Sequence, residues 1–273
     1  MSDYFSESDI VRHNLGDEYL DHVLFNEIDK YMDFYESLAY SISNHISIGT
    51  SAITNLDTYA YSSFKGTLES IKLILMVGRM NDSYALLRKY YDATMINIYS
   101  NLFLEDNFNA ENLIVKEIEG WKNGSTTIPK YRKIASYIKK SPKLKPVTDL
   151  LQKDDRYIEI RDRCNDHMHY NFYRNLMYND NRIYLGDRVE ILNTLSNDLK
   201  DLFLQHISYL FYLKDHYMMS SDFIDALEFG MEPEENAQYF VAPFIQGIFD
   251  NVVKENRPDI AQLIKKETAM KLQ

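Results

Sequence analysis

An all-helical fold is what this chain predicts, and three observations predict it. Only 9 glycines and 6 prolines are spread over 273 residues, so turn-formers are scarce and the elements between them must be long. Apolar residues recur at three- and four-residue intervals through most of the sequence, the period of a helix with one buried face. No strand-alternating pattern points to a nucleotide-binding sheet. Hydrophobic residues make up 45% of the chain, enough to bury a sizeable core. The 22 Tyr and 14 Phe beside a single Trp suit broad, semi-buried helix faces, because Tyr packs its ring inward while its hydroxyl reaches water or a partner.

The elements follow in order. Residues 1–16 read as a polar tail closing at Gly16. From Asp17 to His45 the apolar stripe Leu20, Val23, Leu24, Ile28, Tyr31, Phe34, Tyr35 and Leu38 predicts a first helix. Gly49, Thr50 and Ser51 interrupt it. A second long helix is expected over Ser51–Val77, with Leu56, Tyr59, Phe64, Leu68, Ile71 and Leu75 inside and Gly78 as its stop. Asn81 or Asp82 caps a third, Ser83 to about Phe103. The link Gly78–Asn81 is so short that these two helices must form an antiparallel hairpin. Asn123-Gly124, Pro129, Pro142 and Pro146 restrict the region 104–155 to helices of one to three turns. A fourth major helix starts near Asp154 and carries IEIRDRCNDHMHYNFY, Asn179–Arg182 breaks it, and Ile183-Tyr184-Leu185 is a short extended piece. A fifth helix, Arg188 to Phe229, ends at Gly230 and Pro233, and helices near Glu235–Glu255 and Asp259–Leu272 complete the chain.

Composition also excludes. Cys164 is the only cysteine, which rules out an internal disulfide framework and a cysteine-based metal site. The acidic, polar first residues are not a signal peptide. No run approaches the roughly 18–20 apolar residues of a membrane span, so a cytoplasmic protein without membrane contact is expected. The net charge of −11 repels polyanions on average. Against that average stands Lys130–Thr148, with Lys130, Arg132, Lys133, Lys139, Lys140, Lys143 and Lys145 and no acidic residue. Such a run is most often a solvated helix face.

No phosphate-cradling glycine loop, G-x-S-x-G elbow or H-E-x-x-H motif is present. A carboxylate-bridged metal bundle needs Glu three residues before His, and no histidine here has one. No cofactor or metal is therefore expected. What stands out is Arg161-Asp162-Arg163-Cys164-Asn165-Asp166-His167-Met168-His169-Tyr170-Asn171. On a helix, Arg161, Asn165 and His169 share one face, and Arg163 and His167 share an adjacent one. These are the parts for cleaving RNA without metal: an imidazole to move a proton near neutral pH, cationic donors for the charge developing on phosphorus, and an amide to orient either. The bland alternative is a surface network of Arg, His and Asp. Arg88 and Asp92, one turn apart, are more simply an ion pair than residues orienting the motif. Tyr90, Tyr91, Tyr99, Tyr170 and Tyr173 have a shape that can stack on bases, although core packing is the commoner use of such a stripe.

The segment resembles the R-x(4–6)-H motif of HEPN domains. Arg161–His167 and Arg163–His169 both satisfy that spacing, and Arg161-Asp162 supplies the arginine–polar pair. The run from Ser70 to Asp92 is similar to the central helical hairpin of a bacterial HEPN-like group, whose later R-D-x-x-N-x-x-x-H helix is matched by Arg161, Asp162, Asn165 and His169. The likeness covers roughly residues 50–220. It implies an all-α up-and-down helical bundle of the HEPN type, and it does not explain the N-terminal helix or the residues beyond 230. The chain is therefore divided into a helical domain over 17–230, with a basic short-helix insertion at about 106–153, and a C-terminal helical extension over 231–273. The resemblance also implies a homodimer whose facing motif helices form one composite cleft.

Many such proteins are metal-independent endoribonucleases of toxin–antitoxin or phage-defence systems. Others keep the fold for dimerisation or for binding a nucleotide or a partner such as an antitoxin. On the first reading Arg161, Asn165, His167 and His169 are the catalytic candidates, with His169 favoured over His167 by its phase with Arg161. Arg163, Lys130, Arg132, Lys133, Lys139 and Lys140 would bind RNA, and Arg88, Asp92 and Asp162 would support them.

Overall fold

The computed structural model describes residues 13–43, 50–182 and 186–273. It is all-helical. Among the described residues there is no strand, only the isolated bridges Asn109–Asn112 and Met219–Val241. Of the expected tail at 1–16, residues 1–12 lie outside the described residues, whereas 13–15 are helical and correct the expectation. The interruption at Gly49 and the extended piece at Ile183–Leu185 also lie outside the described residues.

The first expected helix is two. A single turn, α1 (Asp17–Leu20), stops at Asp21, and α2 (Val23–Ser41) starts afresh. His22 causes the restart: its ring Nδ1 accepts the Leu24 N–H at 3.2 Å, the capping role usually taken by Ser or Asp. Val23, at the exposed start of α2, is not part of the core stripe, whereas Leu24, Ile28, Tyr31, Phe34, Tyr35 and Leu38 are buried as expected.

Helices α3 (Leu56–Met76) and α4 (Met80–Asn107) form the predicted hairpin. Phe64 meets Tyr90 edge-on, and Asp57 accepts from Asn97 and Asn101, pairings that run in opposite chain directions. Gly78 ends α3 at φ +76°. Its N–H bonds to the Leu75 carbonyl and the Arg79 N–H to the Ile74 carbonyl, the paired bonds of a Schellman stop. A Cβ at Gly78 would press on Leu15, Asn181 and Arg188 at 3.0–3.3 Å, so glycine is required twice over. Tyr59 corrects the expectation of burial: it is exposed, and its hydroxyl donates to the Thr50 carbonyl.

Three short helices, α5 (Lys116–Lys122), α6 (Tyr131–Lys140) and α7 (Lys145–Leu151), fill the region where proline and glycine forbid long ones. The motif lies on α8 (Arg156–Met168), followed by α9 (Tyr173–Met177). Helix α10 (Arg188–Leu213) is shorter than expected. It ends because the chain around Met219 pairs with that around Val241 instead: Ser220 N–H donates to the Phe240 carbonyl and Ala242 N–H to that of Met218. The serine pair then opens a separate α11 (Asp222–Glu228), with Ser220 Oγ bonded to Asp222. The expected helix at Glu235–Glu255 is a 3₁₀ turn, then α12 (Pro243–Ile248) running into a π-helical segment, Phe249–Lys254; α13 (Pro258–Glu267) closes the chain.

The fold divides into two compact units, each built from three stretches of chain. Unit one takes residues 1–33, 63–92 and 155–203; unit two takes 34–62, 93–154 and 204–273. No described helix is long and apolar enough to cross a membrane.

Candidate functional site

The motif helix buries one stripe and leaves the rest half-buried or exposed. Tyr157, Ile160, Cys164 and His167, at intervals of three and four, are its buried residues. His167 is therefore the last member of an apolar stripe. Its ring stacks on Tyr84 at 4.0 Å between centroids and nearly parallel. Asn81 holds it at two points: Nδ2 donates to the His167 carbonyl at 3.0 Å, and Oδ1 lies 2.9 Å from His167 Nδ1. An amide that donates through nitrogen accepts through oxygen, so the ring is fixed with its proton on Nδ1. Burial pushes the His167 pKa down to about 4. A base so weak abstracts protons poorly near neutral pH. Cys164, in the same stripe, has its thiol pushed up to about 12 by burial, far from the thiolate range.

The facing residues make a different set of contacts. Arg161 NH1 meets Asp92 Oδ1 at 2.9 Å, Arg88 meets Asp92 Oδ2 at 3.1 Å, and Arg88 NH1 donates to Asn165 Oδ1 at 2.6 Å. Arg88 and Asp92 are thus an i,i+4 ion pair and also, with Asn81 and Tyr84, points at which α4 grips the motif helix. The four side chains form a partly exposed chain, Arg161–Asp92–Arg88–Asn165: Arg161 is 23% and Asp92 36% exposed. Arg163 is drawn elsewhere, into a two-bond pairing with Asp198 of α10 at 2.7 and 3.0 Å. Those bonds raise the Arg163 pKa, while burial pushes the Asp198 carboxyl up and Arg163 pulls it back down. Asp162 is exposed.

His169 does not sit inside the helix as expected, because α8 ends at Met168. Its N–H still bonds to the Asn165 carbonyl, so its side chain leaves the last turn exposed. Tyr170 N–H then reaches the His167 carbonyl and Asn171 N–H that of Asp166. This is the same Schellman stop as at Gly78, but the left-handed position is held by a tyrosine, at φ +51°. Around the turn, Met168, Tyr170, Phe172, Tyr173 and Leu176 are all exposed. Tyr90, Tyr91 and Tyr99, by contrast, are buried.

The structure brings Arg88, Asp92, Arg161 and Asn165 together, with His169 one turn further along. It withdraws His167 and Arg163 to separate partners. Lys130, Arg132, Lys133, Lys139 and Lys140 are exposed in unit two, on and beside α6, whose Ile134 and Ile138 face inward. Asp198, Asn81 and Tyr84 were missed as partners. Asn81 reads from sequence as a helix cap, and nothing local to Asp198 announces an arginine on another helix. The burial of His167 was visible in the 157–160–164–167 spacing. Among the described residues, no group of three or more His, Cys, Asp or Glu is placed to hold a metal ion.

Comparison with protein-family models, with curated proteins and with solved structures finds no match for this chain.

Proposed function

We propose that this chain is a HEPN-like, metal-independent endoribonuclease, a toxin or phage-defence effector that works as a homodimer. The observation that carries the reading is the row Arg161–Asn165–His169, anchored from behind by Arg88 and Asp92 and exposed at its histidine. In this reading His169 takes the proton of a ribose 2′-hydroxyl. The freed oxygen attacks the adjacent phosphorus, the bond to the 5′-oxygen breaks, and a 2′,3′-cyclic phosphate and a 5′-hydroxyl result. The leaving oxygen needs a proton donor, which the second copy's histidine supplies across the dimer axis. Arg161 stabilises charge on the phosphorane, and its fork is held in orientation by Asp92. Asn165 orients, tied to Arg88. His167 serves as a packing residue, and the lysines beside α6 attract RNA electrostatically.

A second reading, a non-catalytic HEPN-like module that binds a nucleotide or a partner protein, has its own support. Arg161 and Arg163 already hold carboxylates, Asp92 and Asp198, and the chain carries a net charge of −11. Expression in bacteria separates the two. The nuclease reading expects growth arrest and fragmented total RNA, both lost in an Arg161→Ala/His169→Ala double variant. Harmless expression of both proteins, with a partner copurifying at fixed stoichiometry and no RNA turnover, supports the module instead.

A further inference from the structure

Unit two contains a polar chain that the motif does not use. It begins at Tyr35 on α2, whose hydroxyl lies 2.8 Å from His206 Nδ1 on α10. His206 Nε2 lies 3.0 Å from Asn97 Oδ1, and Asn97 Nδ2 donates to Asp57 Oδ1 at 2.6 Å. The direction of each bond follows from the last. Asn97 donates through its nitrogen, so its oxygen accepts from His206 Nε2–H, which leaves Nδ1 to accept from Tyr35. Burial holds His206 neutral, with a pKa pushed down to about 3. Two further donors end on the same carboxylate: Asn101 Nδ2 at 2.7 Å from Oδ1, and the Tyr217 hydroxyl at 2.7 Å from Oδ2. Burial and the neighbouring Asp57 push the Tyr217 phenol up, so it stays a donor.

Every dipole in this network points its positive end at Asp57. The residue is 6% exposed, and among the described residues no cationic side chain lies within ion-pair distance of it. A buried carboxylate held only by neutral donors is unusual, since buried charge is normally paired with opposite charge. Asp57, Asn101 and Tyr217 line a cavity of about 600 Å³, within the range of small-molecule sites. Its remaining wall is mainly apolar, with Leu56, Leu104, Phe108, Leu113, Ile114 and Val115. Phe108, Leu113 and Ile114 are each more than half exposed. The lining carries three carboxylates, Asp57, Glu105 and Glu119, against one ammonium, Lys214. Glu105 and Glu119 already have cations, Lys143 and Lys122. Asp57 does not.

We infer that this cavity is a binding site for a small organic amine with an apolar body, its ammonium on Asp57 and its body against Phe108, Leu113 and Ile114. The bound cation supplies the charge partner the protein lacks, and the aligned donors behind Asp57 fix its carboxylate in advance, so little order remains to be imposed on binding. The inference is independent of the motif in unit one.

The test uses 2-phenylethylamine as the probe and 3-phenylpropionate, of matching size and opposite charge, as its control, with calorimetry on the full chain. The amine should bind at least about tenfold more tightly than the acid, the scale of one charge-assisted hydrogen bond. Asp57→Asn should abolish that preference. Phe108→Ala, at an exposed wall position where folding is not at stake, should weaken the amine several-fold while leaving its preference over the acid. Equal affinity for amine and acid, no amine binding at millimolar concentration, or undiminished binding in Phe108→Ala would each overturn the inference.

Discussion

The two units solve the problem of semi-buried polarity in opposite ways. Around the motif helix, charge answers charge: Arg161 and Arg88 share Asp92, and Arg163 takes Asp198. In unit two, a chain of neutral donors from α2, α10 and α4, and Tyr217 beyond α10, ends on Asp57, with no cationic side chain within ion-pair distance among the described residues. The first arrangement sets three guanidiniums against two carboxylates, with His169 exposed one turn beyond Asn165. The second leaves a net negative point at a cavity wall. Two histidines show the same contrast with neighbours: His167 and His206 are both buried and neutral, whereas His169, two residues from the first, is exposed. Position relative to an apolar stripe, and not residue type, decides which imidazole is buried and which is exposed.

The largest effect that would break this comparison concerns the two carboxylates. Asp57→Ala strands three donors, each costing about 1–3 kcal/mol when left without an acceptor, so a loss of roughly 3–5 kcal/mol is expected in urea unfolding. Asp92→Ala, at the partly exposed link between Arg161 and Arg88, should cost no more than about 1 kcal/mol. Equal losses would mean that the two networks are energetically alike.

Acid should reveal the buried histidines. The unfolded chain protonates His at its ordinary pKa near 6.5, while folded His167 holds out to about 4 and His206 to about 3. Between those limits the unfolded state binds more protons, so stability is full above about pH 6.5 and is lost as the pH falls toward 4. For His167 the loss amounts to about 3 kcal/mol at most. His167→Phe, which keeps the stack on Tyr84, should remove about half of the two histidines' dependence between pH 7 and 5 in urea titrations, leaving that of His206; an unchanged slope would mean that the ring is solvated.

The two matching helix stops give a smaller, opposite pair. Gly78→Ala should destabilise by about 1–2 kcal/mol, through positive φ and the crowding at Leu15 and Asn181. Tyr170→Gly should stabilise by up to about 1 kcal/mol, since it relieves a left-handed tyrosine. A destabilised Tyr170→Gly would show that the ring, whose hydroxyl lies 3.4 Å from Asn179, contributes more than the backbone strain costs. Smallest of all, Lys139→Glu/Lys140→Glu at the exposed end of α6 should move the unfolding midpoint by less than about 0.5 kcal/mol. If the basic face attracts RNA, the same change weakens RNA retention at low salt.

What was legible in the sequence was whatever is local. The hairpin of α3 and α4 was, because a link as short as Gly78–Asn81 leaves no other geometry and Gly78 marks the turn. So was the grouping of Arg161 with Asn165, one helical turn apart. The boundaries that failed were set from a distance. α10 stops at Leu213 because the chain near Met219 pairs with Val241, some twenty residues on, and α2 restarts because a histidine acts as its cap. The Asp57 network was invisible for the same reason: Tyr35, Asp57, Asn97, His206 and Tyr217 read as ordinary members of four helices far apart in sequence. Only the fold brings their polar ends together.

The most direct test of the central claim is cleavage of a labelled RNA by purified protein in the presence of a metal chelator. Wild type should be compared with Arg161→Ala, His169→Ala and His167→Phe, each confirmed to be folded. The account predicts cleavage by wild type, a loss of roughly a hundredfold or more in Arg161→Ala and His169→Ala, and substantial activity in His167→Phe. Cleavage that survives in His169→Ala and vanishes in a folded His167→Phe would contradict it.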